Sequence, residues 1–232
     1  MINGRSNLTP KILSVNVSLP KEIDFEGQRV ITGIFKEPIE GRVMLRALNL
    51  DGDKQADLTV HGGPDKAVYA YPIEHYAFWR EVFPKMEMPY GMFGENLTIE
   101  GLRENEVSVG DTFEIGSSKV MATQPRMPCY KLGIKFGRMD IIKKFLASGR
   151  SGIYFKVLEE GEVGAGDLIV QIKKDTNQVA ISDIVRLYGS DRNDIKTMRR
   201  AVKVEALPDG WKEYFLEQIG RVERSYTKRK HR

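Results

Sequence analysis

The chain carries one cysteine, Cys129, and three histidines in 232 residues. A lone thiol cannot close an internal disulfide, and neither a Cys-x-x-Cys pair nor a His-x-x-x-His pair is present to hold structural zinc. Long apolar runs are missing as well. Nothing approaches the ~20 residues of a membrane span, and Met1-Ile-Asn-Gly-Arg-Ser-Asn lacks the apolar centre of a signal peptide. These absences point to a cytoplasmic protein in a reducing compartment, with no membrane partner. No glycine-rich loop ends in Gly-Lys-Ser/Thr, and no Gly-x-Gly-x-x-Gly follows a strand, which argues against a nucleotide-triphosphate motor or an ordinary dehydrogenase.

What is present is a balanced globular composition, 41% hydrophobic, with a net charge of +4. The positive charge is not spread evenly. Residues 221–232 hold six cations against Glu223, a net of +5, so the remainder of the chain stands at −1. A nearly neutral body with a basic end lacks the clustered basic face of a dedicated nucleic-acid binder. Residues 222–232 read as a solvated, mobile basic tail.

Along the first 175 residues the pattern is one of short strands and turns. Strands are expected over 12–17, 30–35, 43–45, 57–60 and 67–71. Pro72 suits the first turn of a helix, and Ile73, Tyr76, Ala77, Trp79 and Phe83 then recur at helical spacing up to Pro84. Two later segments echo each other, Gly110-Asp111-Thr112-Phe113 and Gly166-Asp167-Leu168-Ile169, each a Gly-Asp turn feeding an apolar strand. Equivalent turns at two rims of a twisted barrel would account for both. An amphipathic helix over 138–148 closes at Gly149.

After residue 175 strand alternation gives way to helical periodicity. Helices are expected over 181–187, over 191–204 with an aspartate cap, and over 208–219 ending at Gly220. The fold class is thus mainly β with peripheral helices: a distorted barrel over 1–175, a three-helix unit over 178–221, and the tail. So small a helical unit packs on the barrel or on a partner subunit, and is compatible with a homodimer.

The stretch with most chemistry is Gln124-Pro125-Arg126-Met127-Pro128-Cys129-Tyr130-Lys131. A thiolate attacks electrophiles and binds soft metals, and a neighbouring Arg or Lys favours that form. The run 119–124 reads as a strand that Pro125 and Pro128 terminate, leaving Cys129 just past a strand end. The plain alternative is a small buried hydrophobe. His61-Gly62-Gly63-Pro64-Asp65-Lys66 is the second feature. Adjacent glycines let backbone N–H groups approach an anion, and Lys66 adds a point charge; a simple strand-to-strand turn would also use this pattern. A Cys-His hydrolase, with Cys129 as nucleophile and His61 or His75 as base, stays open.

Taken with Thr32-Gly33-Ile34-Phe35-Lys36, Glu74-His75-Tyr76, Gly94-Glu95-Asn96-Leu97-Thr98 and Val109-Gly110-Asp111, these motifs resemble the MOSC family, and specifically its stand-alone bacterial branch with a helical C-terminal domain. The resemblance implies a molybdenum cofactor, a phosphate-bearing pterin dithiolene, with Cys129 as the protein's ligand to the metal. Arg126 and Lys131 would be cation partners, His61, Gly62, Gly63 and Lys66 an opposite wall, and Asn96 a third side. Lys21 matches a further basic position, and Glu95 would orient a cation or cap a turn. The implied reaction is reduction of N-hydroxylated compounds, hydroxylaminopurine-type bases and amidoximes among them, with electrons from a separate flavoprotein reductase. Two alternatives remain: a persulfide carrier through Cys129, and a non-catalytic module that binds or delivers the cofactor.

Overall fold

The computed structural model describes residues 9–56 and 62–230. Its centre is an eight-stranded mixed sheet built from β1 (Lys11–Val17), β4 (Glu37–Ile39), β6 (Val68–Pro72), β7 (Leu97–Glu100), β8 (Thr112–Ile115), β9 (Ser118–Pro125), β10 (Ile153–Glu159) and β12 (Ile169–Lys173). The strand order is β12-β8-β9-β10-β6-β7-β1-β4. Every neighbouring pair is antiparallel except β6 with β7. The sheet is not a closed ring of strands, but it curls until β12 meets the start of β1. Ile169 N donates to Pro10 O at 2.7 Å, and Ile12 N donates to Asp167 O at 2.9 Å. The hairpin β2 (Lys21–Phe25) and β3 (Gln28–Thr32) forms one separate ribbon, and β5 (Arg42–Leu45) with β11 (Gly161–Gly164) forms another.

Alternation along the central strands explains why the sheet curls around a core. Buried residues alternate over the first half of β9 and through most of β10, and Val120, Ala122, Ile153 and Phe155 project inward with Ile12, Val15 and Phe113. The two Gly-Asp echoes occupy equivalent turns. Gly110 and Gly166 have φ of 94° and 91°, a region that favours glycine. Each following aspartate closes its turn: Asp111 accepts from Ser108 N and Asp167 from Gly164 N, both at 2.9 Å. The strands they feed, β8 and β12, lie side by side.

A second apolar cluster lies under α1 (Glu74–Val82), α2 (Tyr130–Phe136) and α3 (Asp140–Ser148). Trp79, Tyr76, Phe93 and Phe145 are fully buried there. The C-terminal helices α4 (Ile181–Tyr188), α5 (Ile195–Val202) and α6 (Asp209–Lys230) share the barrel core. Ile184, Leu187, Met198 and Phe215 join Phe113 and Phe155 in one continuous cluster, so the helical unit packs on the barrel. Among the described residues, no helix is long and apolar enough to cross a membrane.

Several local expectations are corrected. Pro72 closes β6 and does not open a helix; α1 begins two residues later. Pro72 sits at a strand end, where its missing N–H costs little. The strand expected over 30–35 stops at Thr32, and a Cβ on Gly33 would stand 2.6 Å from Lys54 O, a backbone approach no strand side chain allows. The aspartate cap of α5 is Asp194, which accepts from Thr197 N at 3.0 Å, while Asp191 pairs with Arg186. Helix α6 does not stop at Gly220 but continues to Lys230. A glycine inside a helix costs about 1 kcal/mol, and the buried Ile219 and Val222 on either side compensate. The basic end is therefore helical through Lys230. The strand expected over 57–60 lies outside the described residues.

Candidate functional site

Three chain segments converge where β9 ends. Strand β9 runs through Pro125, whose Cα pairs with Ile153, and the chain then turns so that Cys129 becomes the N-cap of α2. Helix α2 had no signal in the strand-like reading of that region. The second segment is the loop after β3, residues 33–36. The third is the loop 53–56. Together they line a cavity with Lys36, Asp53, Lys54, Gln55, Lys66, Tyr69, Asn96, Arg126, Cys129, Lys131 and Tyr154 among its walls.

The charge of this cavity is its clearest property. Among the described lining residues, five are cations and one, Asp53, is a carboxylate. Two of the cations are buried. The Arg126 guanidinium donates to Phe93 O and lies 5.1 Å from the Tyr69 ring centroid. Burial opposes its charge, but Tyr69, Tyr154 and Cys129 outweigh that and hold it above its usual value. Lys36 has 9% of its side chain exposed and donates to Asp53 Oδ1 at 2.5 Å. Burial pushes its ammonium below the ordinary value, against the pull of Asp53.

Asp53 is the organising acceptor. Its Oδ1 also accepts from Ser18 N at 2.9 Å, and its Oδ2 accepts from Asn96 Nδ2 at 2.9 Å. Asn96 in turn accepts from Tyr69 N through Oδ1 at 3.1 Å. The Asn96 amide thus orients the cavity wall and spends its hydrogen bonds inside the protein. Behind it, Glu95 is fully buried and accepts from Tyr76 Oη, Gly91 N, Phe93 N and Thr98 Oγ1. Glu95 is a structural hub and not a cap: burial raises its carboxyl above the usual carboxylate range, with the Tyr76 hydrogen bond and the Lys135 charge pulling the other way.

Lys135 donates to Gly91 O at 2.6 Å and Ile34 O at 3.0 Å, tying α2 to the loop between α1 and β7 and to the loop after β3. Burial lowers its value from 10.5 to about 8, with Glu95 pulling the other way. Between about pH 8 and 10.5 the unfolded chain holds the proton that the native chain has released, so stability rises with pH across that window. Below pH 8 both states are protonated and the burial cost is fully present. Lys135→Met should flatten this rise by about 2 kcal/mol, read as the change in urea midpoint between pH 8 and 10 in variant and wild type.

The other expected site residues are distributed unevenly. Cys129, Arg126, Lys131, Lys66 and Asn96 meet at the one cavity. Gly62 and Gly63 line a neighbouring groove, and Lys66 borders both. Lys21 does not line the cavity; it sits on β2, 55% exposed, paired with Glu37 at 3.2 Å. His61 lies outside the described residues. His75 is buried against Glu104, with Nε2 2.8 Å from Oε2, a contact that joins α1 to the loop before β8 and takes it away from any role beside Cys129. Lys36, Asp53, Gln55 and Lys135 were missed. Lys36 closes the Thr32–Lys36 motif and could have been singled out; Asp53 reads locally as a turn residue and gives no signal.

The site is thus a partly buried cavity at the rim of the sheet that gathers a thiol and several cations. Residues 57–170 match the MOSC domain family, and residues 179–219 match a YiiM-like 3-alpha helix domain. Protein YflK of Bacillus subtilis is 38% identical over 211 residues, covering 91% of this chain and 95% of that protein. The crystal structure of YiiM from Geobacillus stearothermophilus is 32% identical and superposes with a TM-score of 0.76, covering 90% of this chain and 99% of that one. A protein named reductase from Gibberella moniliformis is 26% identical over 204 residues, 87% of this chain but 36% of that protein. The chain belongs to the MOSC domain family, in its stand-alone YiiM-like branch.

Proposed function

We propose that the protein binds a molybdenum cofactor and reduces N-hydroxylated compounds, with electrons supplied by a separate flavoprotein reductase. The observation that carries the reading is the placement of Cys129 on a cavity whose described walls hold five cations and one carboxylate. A soft thiolate suits molybdenum, and an excess of positive charge suits a phosphate. One more feature fits a pterin. Gln55 Oε1 is buried and has no hydrogen-bond partner among the described residues, while its Nε2 donates to Leu48 O and Lys66 O. A ring bearing N–H donors would satisfy that acceptor. No group of three or more His, Cys, Asp or Glu side chains among the described residues is placed to hold a metal ion, so further ligands at Cys129 would have to come from the cofactor.

In this reading Cys129 is the ligand to the metal, and Arg126, Lys131 and Lys66 hold the anionic part of the cofactor. Asn96 acts indirectly, by fixing Asp53. When bound, the cofactor supplies two-electron removal of an oxygen atom. The overall change, N-hydroxyl compound plus two electrons and two protons to amine plus water, needs a proton source at the wall. Lys36 holds a proton at Nζ, positioned by Asp53 Oδ1, and burial makes it a stronger acid.

The test is metal and pterin analysis of the wild type and Cys129→Ser, both produced in cells able to make the cofactor. Molybdenum and pterin in about equal amounts are expected in the wild type, with molybdenum lost from the variant. Absence of both from both proteins would overturn the reading.

A further inference from the structure

Most neutral polar side chains around the Cys129 cavity are committed within the protein. Thr32 Oγ1 accepts from Ile34 N at 3.2 Å, Asn96 is held between Asp53 and Tyr69 N, and Gln55 Nε2 donates to two backbone carbonyls. The Tyr69 hydroxyl turns away from the cavity and donates to Ser151 O at 2.8 Å. Gly152 makes room for that turn, since a Cβ there would stand 2.8 Å from Tyr69 Oη. The second tyrosine on the wall, Tyr154, is placed differently.

Tyr154 lies on β10 directly opposite Tyr69 of β6, and their ring centroids are 5.0 Å apart. Thr123 Oγ1 donates to its backbone carbonyl at 3.1 Å, so ring and backbone are both fixed. Alternation along β10 sends Ile153 and Phe155 into the barrel core and turns Tyr154 to the cavity. Its hydroxyl makes no hydrogen bond among the described residues, and Arg126 and Cys129 are both close enough for their charges to act on it. Burial raises the phenol above its ordinary value, with Arg126 pulling the other way and Cys129 adding to the rise. At neutral pH it is therefore a donor and a poor acid.

A neutral donor among cations can do what the cations cannot. Lysine and arginine attract an anion whatever sits on the reacting nitrogen. An N-hydroxyl group is uncharged and both donates and accepts a hydrogen bond, as a phenol does. The corresponding amine lacks the oxygen and leaves the phenol unpaired, which disfavours it.

We infer that Tyr154 Oη recognises the hydroxyl oxygen of the substrate beside Cys129, and is the residue by which the cavity takes N-hydroxylated compounds in preference to the amines they become. Proton delivery stays with Lys36; Tyr154 decides which molecule is held. Loss of the oxygen removes the hydrogen bond, so the amine leaves more readily than the hydroxylated compound stays out. The inference rests on the reductase reading for the compound that enters, but the preference is a property of binding and needs no turnover.

Isothermal titration of the full chain, produced in cells able to make the cofactor and kept free of electron donors, compares N-hydroxylated adenine with adenine. The wild type should bind the hydroxylated base about three- to tenfold more tightly, the worth of one hydrogen bond. Tyr154→Phe keeps the ring against Tyr69 and should bring the two affinities together by weakening the hydroxylated base alone. Unchanged adenine affinity then shows that the cavity of the variant is intact. The same preference in Tyr154→Phe as in the wild type overturns the inference and leaves the reductase reading standing, as does a wild type with no preference. Equal weakening of both bases overturns it too, because Tyr154 is then structural. A preference that Tyr154→Phe abolishes, with no reduction of the hydroxylated base by any electron donor, keeps Tyr154 assigned and removes the reductase reading instead.

Discussion

Glu95→Ala is expected to cost the fold about 3–5 kcal/mol, the scale of an interior charge removed from its partners. The carboxylate is 0% exposed and collects four donors: Gly91 N at 2.9 Å, Phe93 N at 3.0 Å, Thr98 Oγ1 at 2.9 Å and the Tyr76 hydroxyl. The loop between α1 and β7 is in effect wrapped around it. Alanine would leave two backbone N–H groups and two hydroxyls facing a dry void, and would deprive Lys135 and Lys36 of an interior counter-charge. Glu95→Gln keeps the shape and one acceptor, so a loss of roughly 1–3 kcal/mol is expected. Urea unfolding followed by circular dichroism reads both. Equal stabilities for wild type and Glu95→Ala would mean that the loop finds other acceptors and that Glu95 is no hub.

The same network marks the limit of what the sequence reveals. Cys129 past a strand end, the paired Gly-Asp turns and the three C-terminal helices were legible because each rests on local chemistry: proline stops, glycine φ, apolar periodicity. The helix that Cys129 caps was not. Tyr130–Phe136 is seven residues long with Gly133 inside it, too short for periodicity to register. A Cβ on Gly133 would fall 2.2 Å from the Met139 sulfur, a reason for glycine set by how the chain turns from α2 into α3, which apolar periodicity does not encode. Asp53 and Asn96 are 43 residues apart, and nothing local announces that one holds the other. Gly62, Gly63 and Lys66, adjacent in sequence, were assigned to one wall; the fold divides them, with the glycines on the groove and the lysine on both. Gly220 misled because stop signals describe isolated helices, whereas Ile219 and Val222 are already committed to burial.

Asp53→Ala and Lys36→Met remove the same ion pair and should have unequal effects. Asp53 accepts from three donors, Lys36 Nζ, Ser18 N and Asn96 Nδ2. Its loss strands all three, an ammonium among them, for about 3–5 kcal/mol. Lys36→Met leaves Asp53 with two donors and removes a cation whose burial is itself unfavourable, so about 1–2 kcal/mol is expected. The double variant should then be more stable than Asp53→Ala alone, since the stranded charge is gone. Their effects on the cavity run in opposite directions. Without Asp53 the described walls carry cations alone, and inorganic phosphate should protect that variant against heat more than it protects the wild type. Without Lys36 phosphate should protect less. Melting temperatures with and without phosphate in the three variants separate the two roles of the pair. If phosphate protects all of them equally, the positive charge of this cavity is not what holds an anion, and the assignment of Arg126, Lys131 and Lys66 to an anionic ligand falls with it.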